Sequence, residues 1–179
     1  MKGWRRTVLW MAASVSAACA GDGEPKRTGD LVGRDLDLPG YGSYGHVGLW
    51  TGNRVLECLG EVPPIQKRSL ASFQEVTVFW GSKYLPMRRN FRKVIHAGWA
   101  QRNFRPKFTL SPTYRVGKFV RKKVWNKETG RWERRTVMTR AKFRCDTLVS
   151  YAYKAGIGYK VRKSGSFPGT LFEAFGKPR

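Results

Sequence analysis

Two short apolar runs of alternating pattern stand on either side of one turn. His46-Val47-Gly48-Leu49-Trp50 and Arg54-Val55-Leu56-Glu57-Cys58-Leu59 flank Thr51-Gly52-Asn53. Period-two alternation around a glycine-bearing turn predicts a β-hairpin. A lone hairpin is marginal in water, so its apolar face must be covered by further strands or a helix. The rest of the chain supplies both. Gly29-Asp30-Leu31-Val32 predicts the start of a strand, and the β-branched run 75–79 predicts another. Residues 35–45, 104–112 and 165–171 read as loops from their glycine, proline and polar content. From about Met87 to Arg102, Phe91, Val94/Ile95 and Gly98/Trp99 recur at three and four residues, which predicts a helix. Val116–Trp125 against Trp132–Thr139, with Gly130 at the bend, predicts a second hairpin. Cys145 to Ala155 predicts a second helix with Leu148, Val149, Ala152 and Ala155 as its apolar stripe and Gly156 as its stop. Strands, helix, hairpin and helix in that order give an α+β class.

The charge is lopsided. The 179 residues hold 35 Lys+Arg against 12 Asp+Glu, a formal +23, while the 41% hydrophobic content is enough for a core and argues against wholesale disorder. Such a field attracts nucleic acid, anionic lipid or anionic cell-wall polymer, and it says nothing of fold. Between Arg115 and Arg144 twelve bases face only Glu128 and Glu133. There Trp125 and Trp132 sit among Lys122, Lys123, Arg134 and Arg135, a mixture suited to an anionic polymer by charge and stacking, or else a solvated ribbon. Three cysteines exclude a disulfide scaffold.

The first twenty residues have the layout of a secretory signal peptide: Lys2, Arg5 and Arg6, an apolar stretch from Thr7 to Ala18, then small residues. The apolar stretch is too short to span a bilayer as a helix. Ala18-Cys19-Ala20 offers a cleavage site after Ala20, and Ser16-Ala17-Ala18-Cys19 offers a lipoprotein box with lipid on Cys19. Export would remove three bases and no acid, so the basicity belongs to the remainder. Residues 21–28 then form a linker, 29–175 the domain, and about 113–140 a basic hairpin insertion.

Three side chains carry the chemistry. Cys145 opens a helix, where unpaired N–H groups, with Lys142 and Arg144 nearby, favour an accessible thiolate of lowered pKa. The alternative is a small buried cysteine. His46 stands at a loop–strand junction and serves either as a base or as a structural histidine. Glu57, eleven residues on across the hairpin, lies in an apolar run, where an acid either has a partner such as the imidazole or faces solvent. His96, among Arg92, Lys93 and Arg102, reads as a surface residue. Nothing in these patterns calls for a metal or a cofactor.

Gly45-His46-Val47-Gly48-Leu49-Trp50 through Glu57 resembles the histidine hairpin of the permuted NlpC-type papain-like cysteine hydrolases (YiiX/YebB-like). Phe143-Arg144-Cys145-Asp146-Thr147-Leu148-Val149 through Ala155-Gly156-Ile157 resembles their nucleophile helix. Gly29-Asp30-Leu31-Val32 is similar to their lead-in and Pro168 to Leu171 to their closing segment. Histidine before cysteine is the circularly permuted order, shared with the lecithin:retinol acyltransferase relatives. Glu57 stands where those relatives often have histidine, and Asp146 where serine often follows the nucleophile. The resemblance implies a permuted papain-like fold, an antiparallel sheet packed on the nucleophile helix, and a Cys145-His46-Glu57 triad. It also implies hydrolysis of an amide or ester through an acyl-thioester, on a cell-wall peptide or a lipid. With the leader, it implies an exported protein of the periplasm or cell envelope. There the basic surface would meet anionic envelope polymer or membrane, and nucleic acid would be a lesser partner.

Overall fold

The computed structural model describes residues 23–37, 43–75, 78–161 and 167–179. The proposed leader, the first two residues of the expected linker and the middle of the expected loop at 35–45 lie outside the described residues. The described chain holds ten strands and four α-helices. β1 (Leu31–Asp37), β2 (Ser43–Trp50), β3 (Val55–Cys58) and β4 (Ile65–Arg68) come first, followed by α1 (Leu70–Gln74) and β5 (Phe79–Tyr84). Next come α2 (Arg92–Ala100), a 3-10 turn at Gln101–Phe104, β6 (Lys107–Phe108), β7 (Lys118–Asn126) and β8 (Arg131–Thr139). β9 (Lys142–Phe143), α3 (Cys145–Ile157), α4 (Pro168–Ala174) and β10 (Lys177–Pro178) complete the chain.

Six strands make one antiparallel sheet in the order β10-β5-β1-β2-β3-β4. β6 and β9 form a small parallel pair, and β7 and β8 a separate antiparallel ribbon. The class is therefore α+β. Successive residues of a strand face opposite sides of a sheet, and that period sorts the interior into two cores. Leu31, Val47, Leu49, Leu56 and Cys58 join Leu148, Val149, Ala152 and Tyr153 of α3 in the larger core. Val32 and Val55 pack with Phe73 of α1 in the smaller one. Helix α3 lies on β2 and β3, α2 lies along α3, and α4 covers β1 and β2.

Several local expectations are corrected. Strands β1 and β2 take residues 31–37 and 43–50, so much of the supposed loop at 35–45 is ladder, with Arg34 opposite His46 and Asp35 opposite Gly45. The strand expected at 75–79 begins at Phe79, and the short helix α1 precedes it with Ser69 Oγ capping Ser72 N–H. The helix expected from Met87 starts at Arg92 and ends at Ala100, where the 3-10 turn takes over. α4 stands where a loop was expected at 165–171, with Pro168 in its first turn, a position that needs no N–H partner. α3 also runs past Gly156 to Gly158, whose φ of +72° caps it. Gly156 is there for closeness: a Cβ on it would lie 2.6 Å from the Val94 backbone of α2.

Candidate active site

β2 brings His46 and β3 brings Glu57 to one face of the sheet. His46 Nε2 and Glu57 Oε2 are 2.8 Å apart, and the two residues are each 1% exposed. The carboxylate accepts, so Nε2 carries the proton and Nδ1 remains as the basic nitrogen. Phe73 lies against the imidazole at 5.7 Å between centroids.

Glu57 has cationic neighbours that the sequence reading missed. Arg34, directly across from His46 on β1, places Nη2 4.0 Å from Glu57 Oε2, donates from Nη1 to the Phe73 carbonyl and lies over the Phe73 ring. Arg68 of β4 sets Nε 2.9 Å from Glu57 Oε1, close enough for an ion pair, yet Oε1 has no hydrogen-bond donor among the described residues. Arg68 also pairs with Glu61. The signal for Arg34 was available: a base in the run Leu31-Val32-Gly33-Arg34 is as anomalous as Glu57 in its own. Thirty-five bases in the chain hide it.

Cys145 is the first residue of α3. The β2–β3 ladder ends at Leu49 opposite Leu56. Just beyond that end, the backbone N–H groups of Val47 and Asp146 near the Cys145 sulfur favour its charged form. Cys145 thus stands near Val47, the residue that follows His46 on β2. Among the described residues no hydrogen bond joins the thiol to the His46 ring. The structure thus pairs His46 with Glu57 and brings Cys145 to the same strand.

The expectation of an accessible, acidic thiol is corrected. Cys145 is 4% exposed, and its pKa is pushed up to about 12, first by burial and then by the carboxylate of Asp146; the two N–H donors and Arg144 act the other way. Asp146 is itself buried and held by Arg144 in a two-pronged pair, Nε to Oδ1 at 2.5 Å and Nη2 to Oδ2 at 2.6 Å. Arg144 N–H donates to Thr147 Oγ1, closing the first turn. Burial also lowers the His46 pKa, against the opposing pull of Glu57. The resting pair is a neutral thiol and a neutral imidazole. Cys58 is a buried, unpaired thiol that donates to the Phe143 carbonyl.

His96 is exposed and lines a cleft of about 370 Å³ with Arg92, Lys93, Ala97, Ala155 and Gly156, at the end of α3 away from Cys145. Among the described residues no three His, Cys, Asp or Glu side chains gather as a metal-ligand set. The basic hairpin stands as β7 and β8. Its register puts Trp125 opposite Trp132, Lys123 opposite Arg134 and Lys122 opposite Arg135. Alternation therefore splits the six candidate binding residues, with Trp125, Trp132, Lys123 and Arg134 on one face and Lys122 and Arg135 on the other. Comparison with protein-family models, curated proteins and solved structures finds no match.

Proposed function

We propose that this protein is an exported bacterial cysteine hydrolase of the permuted papain-like, NlpC-type fold, cleaving an amide of the cell envelope, with peptidoglycan peptide as the first substrate class. The buried His46–Glu57 pair, with Cys145 near the next residue of β2, carries the reading. Glu57 fixes the tautomer with Nε2–H directed at itself. Nδ1 then takes the thiol proton as Sγ attacks the carbonyl carbon. The oxyanion is stabilised by the Cys145 N–H, one of the N–H groups in the first turn of α3 that have no carbonyl within the helix. His46 returns the proton to the leaving amine and an acyl-thioester remains. Water attacks it, losing its proton to His46, and the thiol is restored with release of the acid.

Because the resting thiol is un-ionised, its proton moves only as substrate arrives. Alkylation of Cys145 by iodoacetamide should therefore keep accelerating above pH 9, with no plateau near neutrality. A plateau by pH 7 would mean a preformed thiolate–imidazolium pair and would overturn this mechanism. Turnover of muropeptide amides should vanish in Cys145→Ala and in His46→Ala. Retention in either variant would sink the hydrolase reading. The missing thiol–imidazole bond favours one competitor, a non-catalytic envelope-binding protein on the same fold. That reading predicts no Cys145-dependent release of product from any amide or lipid ester.

A further inference from the structure

We propose that one face of the β7–β8 ribbon docks on the surface of an anionic lipid bilayer. The face is defined by the register. Phe119, Arg121, Lys123 and Trp125 of β7 alternate on the side they share with Trp132, Arg134, Thr136 and Met138 of β8. Phe119, Trp125 and Trp132 are 66%, 48% and 64% exposed, a cost that a monomer surface has no reason to carry along one strip. Every charged residue of that strip is a base. Glu133 lies on the opposite face, held by Asn126, Thr129 and Arg135. The ribbon is fixed at its base, where Gly117 N–H donates to Gln101 Oε1 and Phe104 packs against Phe119.

Tryptophan rings favour the headgroup depth of a bilayer, and nearby Lys and Arg gain from anionic headgroups. Apolar burial and charge are also the two signals that stable peripheral attachment needs. Single-stranded nucleic acid is the less suited partner. Trp125 and Trp132 pack edge to face at 67° with centroids 5.7 Å apart, so the pair covers ring surface that stacking bases would use. The proposal does not depend on Cys145 being a nucleophile.

The test measures binding of the full chain to vesicles of phosphatidylglycerol and phosphatidylcholine, with phosphatidylcholine alone as reference. Two triple variants remove equal charge from exposed positions: Arg121→Ser/Lys123→Ser/Arg134→Ser on the tryptophan face, and Lys118→Ser/Lys122→Ser/Arg131→Ser on the other. Unchanged melting of both variants excludes unfolding as the cause of any loss. The first should lose vesicle affinity on the order of a hundredfold and the second far less. Trp125→Ala/Trp132→Ala should weaken binding and abolish the part of the fluorescence quenched by brominated lipid. Equal loss in the two triple variants would reduce the effect to net charge and overturn the proposal. Preference of the same face for a single-stranded oligonucleotide over vesicles would overturn it too.

Discussion

Replacing Glu57 by glutamine keeps the shape of the side chain and removes its charge. The buried neighbours then lose their counter-ion. Arg34 is 3% exposed and 4.0 Å from the carboxylate, and no other carboxylate lies within ion-pair distance of it among the described residues. Arg68, 27% exposed at its side chain and paired with Glu61, keeps partial hydration and a second acid. The loss therefore falls chiefly on Arg34. Removing one partner of a buried pair costs about 3–5 kcal/mol, a large part of the roughly 5–15 kcal/mol of a whole domain. With a urea slope of about 2 kcal/mol/M, the midpoint of unfolding should fall by about 2 M with the slope unchanged. The double variant Glu57→Gln/Arg34→Met removes the stranded cation, and an apolar side chain there can be neutral or better. It should recover much of the loss. A fall below about 0.5 M in Glu57→Gln, or a double variant as unstable as the two single losses added, would refute the view that Glu57 is the counter-ion of a buried cluster.

Three further outcomes follow from burial and close packing. His46 is held below its ordinary 6.5, so below about pH 6.5 the unfolded chain binds a proton that the folded chain refuses, and stability should fall as the pH drops. Cys145 is raised from 9.0 to about 12, so above about pH 9 the unfolded chain sheds a proton that the folded chain keeps, and stability should fall again toward pH 12. In urea midpoints taken across pH, Cys145→Ala should flatten the alkaline limb by up to about 1.4 kcal/mol per pH unit and leave the acid limb alone; an unchanged alkaline limb would count against the buried thiol. Gly156→Ala sets a methyl 2.6 Å from the Val94 backbone. Overpacking of about 1–3 kcal/mol should outweigh the gain of about 1 kcal/mol in helix propensity and lower Tm by several degrees, whereas a rise in Tm would mean that α2 and α3 are not in close contact there.

What the sequence made legible was local. The alternation on either side of Thr51-Gly52-Asn53 is a nearest-neighbour property, and it suffices to bring Glu57 within reach of His46. The hairpin at Lys118–Asn126 and Arg131–Thr139 and the helix at Cys145 follow from the same kind of signal. The misses are tertiary. Gly156 reads as a stop because glycine usually ends a helix, but here contact with α2 needs a residue without a side chain. α4 hides in a glycine- and proline-bearing stretch because Leu171 and Phe172 are buried against the sheet, a gain that propensity does not contain. Arg34 and Arg68 come from strands on either side of the hairpin and meet at Glu57 only once the order β1-β2-β3-β4 exists.

The same distinction explains the thiol. Position at a helix N-terminus, with Arg144 adjacent, argues for a lowered pKa, and both influences are present. Neither is strong enough. A helix terminus contributes about 0.3–1 kcal/mol at an exposed site and up to about 2 kcal/mol when partly buried, whereas taking a charge out of water costs several kcal/mol. Arg144 is further weakened as an aid to the thiolate because its guanidinium is spent on Asp146, the acid next to the sulfur. Burial therefore decides the protonation state, and sequence position decides only where the N–H donors point. Those donors still matter to the proposed reaction. The Val47 and Asp146 N–H groups near the sulfur favour its charged form, so in that reaction they would support the thiolate as His46 takes the proton. In the proposed reaction, therefore, the Cys145 thiol stays protonated at rest and ionises only as substrate arrives.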